Sequence, residues 1–227
     1  GKCENCAPEK ALSTEYSENI AIEAAKFLQN IDIPIKPKKR AGSSNDDARW
    51  RFPIYQLPYS LAKDGLMHEY GRVLCYWGDA GWGEMSKEGK EKYKAFDTRL
   101  VSASAKLIKE KWKPESFPSW LTFVPSNRSE LVANFADELA NALGIKFFDV
   151  VKKIKHNKPQ KKMENANYRC KNLDGVFEIS ANIPKGSVLL VDDIYDSGWT
   201  FAVISALLRR SGSDKVFPFA VASTSNN

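Results

Sequence analysis

Two adjacent carboxylates, Asp192 and Asp193, follow the apolar run Val188-Leu189-Leu190-Val191 and precede Asp196-Ser197-Gly198-Trp199-Thr200. Like charges this close raise one another's proton affinity and are costly to bury without partners. The pair therefore calls for a cation, or for a ligand that donates two hydroxyls. Just downstream the chemistry inverts. A tight loop containing Gly198 runs into a helical pattern starting near Thr200, and a helix start offers backbone N–H groups and the positive end of the helix dipole. With the Ser197 and Thr200 hydroxyls it makes an anion socket, and Gly198 lets the backbone come close to a phosphate. A cis-diol beside a phosphate satisfies both halves, and ribose-5-phosphate is such a ligand. The competing reading is the acidic strand end of another α/β design, such as a magnesium-binding receiver or hydrolase.

The elements that must hold these residues can be read around them. Residues 188–191 form a continuous apolar run bounded by turn signals, the mark of a strand buried on both faces. Ligands of open α/β sheets bind outside the carboxyl ends of such strands. From Trp120 onward strands alternate with helices: strand 120–124, helix 130–143 stopped by Gly144, strand 145–151, a polar stretch 152–174, strand 175–180, the buried run, a helix over about 200–211 and a last strand 216–223. The expected fold class is α/β, with a mainly parallel sheet flanked by helices.

A smaller, mostly helical segment precedes it. Amphipathic helices are expected over about 15–30, with Ile20, Ala24, Phe27 and Leu28 on one face, over 66–77, and over 95–112. Ile31-Asp32-Ile33-Pro34-Ile35 reads as an edge strand, residues 40–49 as a loop, and 50–57 as strand-like or extended. The expected division is 1–14, 15–118 and 119–227.

A chain of 227 residues that is 43% hydrophobic and 11% aromatic can build a packed core and is not disordered throughout. No apolar run is long enough to span a bilayer and no charged-then-apolar pattern is read in the first residues, so a soluble cytoplasmic protein without a membrane partner is expected. Four cysteines are too few for a disulfide scaffold, but Cys3 and Cys6 stand at metal-ligand spacing. The net charge of +6 is concentrated in two basic clusters, Lys36 to Arg40 and Lys152 to Lys162, which suit a phosphate-bearing partner or simply a solvated surface. His68 and His156 belong to no recognisable dyad, and Cys75 and Cys170 read as core thiols.

Val188 to Thr200 resembles the phosphoribosyl-pyrophosphate (PRPP) signature of type I phosphoribosyltransferases: apolar strand, paired acids, short loop, then Ser or Thr, Gly, any residue, Thr. The resemblance implies that Asp192 and Asp193 hold the ribose 2′- and 3′-hydroxyls. It assigns the 5-phosphate to Asp196, Ser197, Gly198, Trp199 and Thr200. It makes the loop Pro125-Ser126-Asn127-Arg128-Ser129 the pyrophosphate loop, with Ser126, Asn127 and Arg128 as contacts, and brings Mg2+ with the PRPP. Residues 152–174 then correspond to a flexible hood, with Gln160, Arg169 and Asn172 as candidate contacts. Two positions depart from the family: Trp199 is bulky, and the pyrophosphate loop has no glycine. These bear on turnover more than on binding.

Gly1-Lys2-Cys3-Glu4-Asn5-Cys6 resembles the end of the four-cysteine zinc module that follows the motor of RecQ-family ATP-dependent DNA helicases. A long bacterial form of those helicases ends in a phosphoribosyltransferase-like domain, and Trp77-Gly78-Asp79-Ala80-Gly81-Trp82-Gly83 lies between the two ends here. The resemblance implies a piece of a longer DNA-repair protein, with Cys3 and Cys6 as two of four Zn2+ ligands and DNA as a partner of the whole. On this view the domain binds PRPP or a related ribose-5-phosphate and transfers phosphoribosyl to an unnamed acceptor, or else it is a non-catalytic regulatory or nucleic-acid-binding module.

Overall fold

The computed structural model describes residues 18–29, 31–41, 48–126 and 129–224. It separates into two units, Gly1–Ile31 and Asp32–Asn227. In the first, helix α1 (Glu18–Gln29) falls where its periodicity places it, with Ile20 and Phe27 exposed.

The second unit is built on a six-stranded sheet. Its strands, in chain order, are β1 (Ile33–Ile35), β2 (Gly71–Tyr76), β3 (Trp120–Phe123), β4 (Lys146–Phe147), β7 (Val188–Tyr195) and β8 (Val216–Ser223). Across the sheet they run β1-β2-β8-β7-β3-β4. β1 pairs antiparallel with β2, and every other pairing is parallel. Pro34 is tolerated in β1 because β1 is the edge. The mainly parallel sheet with flanking helices is the architecture expected from the strand and helix alternation.

Two upstream segments differ from expectation. Residues 66–77 are not helical: they contain β2, which lies between β1 and β8 with Val73, Leu74 and Cys75 buried. A strand covered on both faces has no two-residue alternation, and a short apolar run cannot be told from a buried helix by periodicity. Residues 50–57 are not extended either: α2 (Ala48–Arg51) gives way to a turn. The sheet thus takes β1 and β2 from the segment ahead of Ser119.

One large apolar cluster underlies one face of the sheet. It joins Leu100, Val101 and Ile108, from α4 (Thr98–Lys106) and its π-helical extension to Trp112, with Phe135, Ala136 and Leu139 of α5 (Leu131–Leu143). Asp97 starts α4 by accepting the Arg99 N–H at 2.9 Å, and Gly144 at φ 73° ends α5. α7 (Trp199–Arg210) follows β7, and the right-handed crossover to β8 puts it on the opposite face.

The polar stretch after β4 folds as a small cap. β5 (Val151–Lys153) pairs antiparallel with β6 (Phe177–Ile179), with a 3-10 turn Gln160–Lys162 and α6 (Ala166–Lys171) between them. The strand expected over 145–151 thus gives Lys146 and Phe147 to the main sheet as β4 and only Val151 to the cap, and the strand expected over 175–180 lies in the cap as β6. The cap is pinned to the 54–55 turn. Asp174 accepts the N–H groups of Ile54 and Tyr55 at 2.8 and 2.9 Å, and the Tyr55 hydroxyl donates to the Phe177 carbonyl at 2.6 Å.

Candidate functional site

β7 runs past its neighbour. Its register with β3 ends at Phe123 opposite Val191, whereas on the other side it stays paired with β8 through Asp192, Ile194 and Tyr195. The acids therefore lie within the strand, not beyond it as its apolar run alone suggests. β3 leads away through α5 to β4, and β7 leads the other way through α7 to β8. The crevice between β3 and β7 is thus a switch point, where α/β sheets bind ligands.

Two adjoining cavities occupy it, of about 390 and about 510 Å³. Asp192, Asp193, Ser126, Lys90 and Lys153 line both. The first extends under the cap to His156, Gln160 and Thr200, and the second towards Lys94 and Ser129 at the start of α5. Asp192 and Asp193 are half-buried and line the cavities instead of turning into the core.

Burial, and next the Asp193 charge, hold the Asp192 carboxyl well above the usual carboxylate range. Its Oδ1 accepts the Asp193 N–H at 2.8 Å. Asp193 Oδ2 is paired at 2.7 Å with Lys90 Nζ, which also lies 5.9 Å from the Trp77 ring centre. Lys90 stands on a π-helical turn, Gly89–Tyr93, that continues α3 (Trp82–Glu88). Sequence reasoning missed it. No motif marks it among Lys87, Lys90, Lys92 and Lys94, and only the packing of this turn against β7 brings it to the acids.

Gly198 opens α7 with φ 76°, and no side chain caps that helix. Asp196 faces Arg169 of α6 at 3.8 Å. The Trp199 indole is buried, with Lys38 Nζ 5.4 Å from its ring centre, and it does not line either cavity. Burial, with Arg169 second, lowers the Lys38 pKa. A Cβ at Gly198 would lie 3.0 Å from the Tyr195 ring. Gly198→Ala is accordingly expected to cost about 1–2 kcal/mol for the left-handed conformation alone. In a chain this long that lowers the melting temperature by roughly 2–8 °C, read by circular dichroism.

Of the residues expected to act together, Asp192, Asp193, Ser126 and Thr200 meet on the cavities, and Asp196, Ser197, Gly198 and Trp199 form the adjoining loop and helix start. Asn127 and Arg128 lie outside the described residues, as do Cys3 and Cys6. Gln160 lines the first cavity, whereas Asn172 is occupied with both backbone groups of Lys158. His68 is buried against the Glu69 carbonyl at 2.6 Å, and burial pulls its pKa down to about 4, so it packs as a neutral ring. Cys75 and Cys170 are buried thiols pushed up to about 12 by desolvation. Among the described residues no cluster of three or more His, Cys, Asp or Glu could hold a metal, and no helix is long and apolar enough to cross a membrane.

Residues 133–222 match the family model described as "Phosphoribosyl transferase domain". Solved structures similar to the chain include an adenine phosphoribosyltransferase from Saccharomyces cerevisiae, 23% identical, covering 56% of this chain and 70% of that one with a TM-score of 0.38. Another is an orotate phosphoribosyltransferase from Aeropyrum pernix, 18% identical, covering 56% and 61% with a TM-score of 0.37. No curated protein matches the chain.

Proposed function

We propose that the chain binds PRPP, or a ribose-5-phosphate of the same class, at the switch point between β3 and β7. One observation supports this above all: a pair of half-buried acids, one of them with its ionisation suppressed, shares a cavity wall with the Thr200 end of an uncapped helix start. Asp192 and Asp193 take the ribose hydroxyls. Hydroxyl donors relieve the desolvation of the two carboxylates. The 5-phosphate sits on the backbone N–H groups of residues 197–200, with Arg128, Ser126 and Asn127 of the β3–α5 loop meeting the diphosphate.

Lys90, Lys94 and Lys153 line the second cavity and give the diphosphate its countercharge. Lys90 neutralises Asp193 in the free protein and turns to the diphosphate when a ribose hydroxyl replaces it on Asp193. Mg2+ is commonly held by one or two carboxylates together with substrate oxygens, and the acid pair fits that donor set. Bound there with PRPP, it would offset charge on the departing diphosphate. An acceptor under the cap would form its bond to C1 as the C1–diphosphate bond breaks, with inversion, while the basic wall stabilises the leaving group. Calorimetry with PRPP and Mg2+ tests the binding, and a wild type that takes up no ribose phosphate removes the reading. Pyrophosphate release with a panel of nucleobases tests turnover.

The wider reading, a C-terminal region of a cytoplasmic RecQ-like DNA helicase, rests on the resemblance of residues 1–6 and 77–83 in combination with the phosphoribosyltransferase-like end of the chain. A reading frame with ATPase motor motifs and two further cysteines upstream supports it, and a frame lacking both ends it.

A further inference from the structure

A second pocket, of about 660 Å³, opens on the cap. Lys155, Lys158, Lys162 and Lys171 line it and are all exposed. Among the described residues none of the four has a carboxylate within ion-pair distance. Two acids also line it, Glu164 and Asp174, the latter accepting the N–H groups of Ile54 and Tyr55, so four lysines face two carboxylates. The lining is thus net positive.

One aromatic ring, Tyr168, stands in the lining, and a second, Trp50, adjoins it outside the lining. Tyr168, on α6, is 47% exposed and meets Trp50 edge-on at 6.2 Å, and Trp50 is itself 45% exposed. Lys171 Nζ lies 4.8 Å from the Trp50 ring centre. Grooves that grip single strands combine cations that follow the phosphates with aromatic faces on which unpaired bases stack.

We infer that this pocket is a binding surface for single-stranded nucleic acid, its lysines on the phosphates and its Tyr168 ring, with the adjoining Trp50, on unpaired bases. An acidic peptide would satisfy the lysines and leave the rings unused. A duplex keeps its bases stacked on one another, and a free mononucleotide brings one short charged group to four lysines.

The test is fluorescence anisotropy of a labelled oligothymidine on the 227-residue chain across a salt series. K155Q/K162Q/K171Q removes three cations that do not line the acid cavities. Its salt slope should fall by about 2, since each phosphate contact on a single strand contributes about 0.7, with affinity dropping at least about tenfold. Y168A should weaken binding at least about fivefold and leave the slope in place, because it removes stacking and not charge. PRPP binding by the triple-lysine variant should be unchanged, so this surface and the sugar-phosphate site succeed or fail separately. Absent oligothymidine binding, unaltered affinity in the triple-lysine variant, or equal binding of polyglutamate, duplex DNA or thymidine monophosphate would each overturn the assignment.

Discussion

Asp192→Asn combined with Asp193→Asn is expected to abolish PRPP binding at concentrations that saturate the wild type. A hydrogen bond to a charged acceptor contributes about 1.5–3 kcal/mol, so losing two carboxylate–hydroxyl contacts should weaken binding roughly 10²- to 10⁴-fold. The fold should survive. Asp192 Oδ1 accepts the Asp193 N–H at 2.8 Å, a contact that an amide oxygen can keep, and the strand stays paired with β8 from Val188 to Tyr195.

The same titration separates the two halves of the site. Asparagine still accepts a hydroxyl proton but without charge, so the double variant strikes the diol side and leaves the helix start untouched. Gly198→Ala strikes the phosphate side and leaves the acids in place. PRPP should lose affinity in both, whereas inorganic pyrophosphate, which has no diol, should keep its affinity in the double acid variant. A double variant that holds PRPP within tenfold of wild type would show that the acids do not grip the sugar.

Much of this site was legible in the chain because its signals are local. The buried run 188–191, the adjacent acids and Gly198 before a helical pattern occupy thirteen consecutive residues, and their geometry follows from strand and helix termini. α5 was equally plain, since its apolar residues fall on one side and Gly144 stops it, and α7 falls where the helix is expected, over about 200–211. What was hidden depends on tertiary contact. β2 reads as a helix until β1 and β8 are placed on either side of it. Lys90 is one lysine among several until a π-helical turn sets its ammonium 2.7 Å from Asp193. Half of the cap was hidden: β6 falls within the strand expected over 175–180, whereas β5, three residues at the start of the polar stretch, finds its partners 24 to 28 positions away.

Asp192→Asn alone is expected to make the ligand-free protein more stable at neutral pH while impairing its binding. Burial and the neighbouring Asp193 hold the Asp192 carboxyl above its ordinary range, so the folded chain binds that proton more tightly than the unfolded chain does. The contribution to stability is therefore fully present below the ordinary carboxylate range and is lost as pH rises through the elevated native value. At neutral pH the fold therefore bears a cost that the unfolded chain does not, because burial and the Asp193 charge disfavour the ionised form. Asparagine cannot ionise, so the variant's melting temperature should decline less between pH 4 and pH 7. It should exceed that of the wild type at pH 7 by roughly 1–8 °C, the range that relief of about 0.5–2 kcal/mol produces in a chain of this size. Saturating PRPP reverses the order. Ligand at a hundred times its dissociation constant adds about 2.7 kcal/mol to the wild type and little to a variant that has lost a hydroxyl partner. Melting curves followed by circular dichroism should therefore cross, with the variant ahead without ligand and the wild type ahead with it. Equal melting temperatures at pH 7 in the absence of ligand would mean that Asp192 bears no ionisation cost, and the strained acid pair would no longer explain why this strand end should seek a sugar.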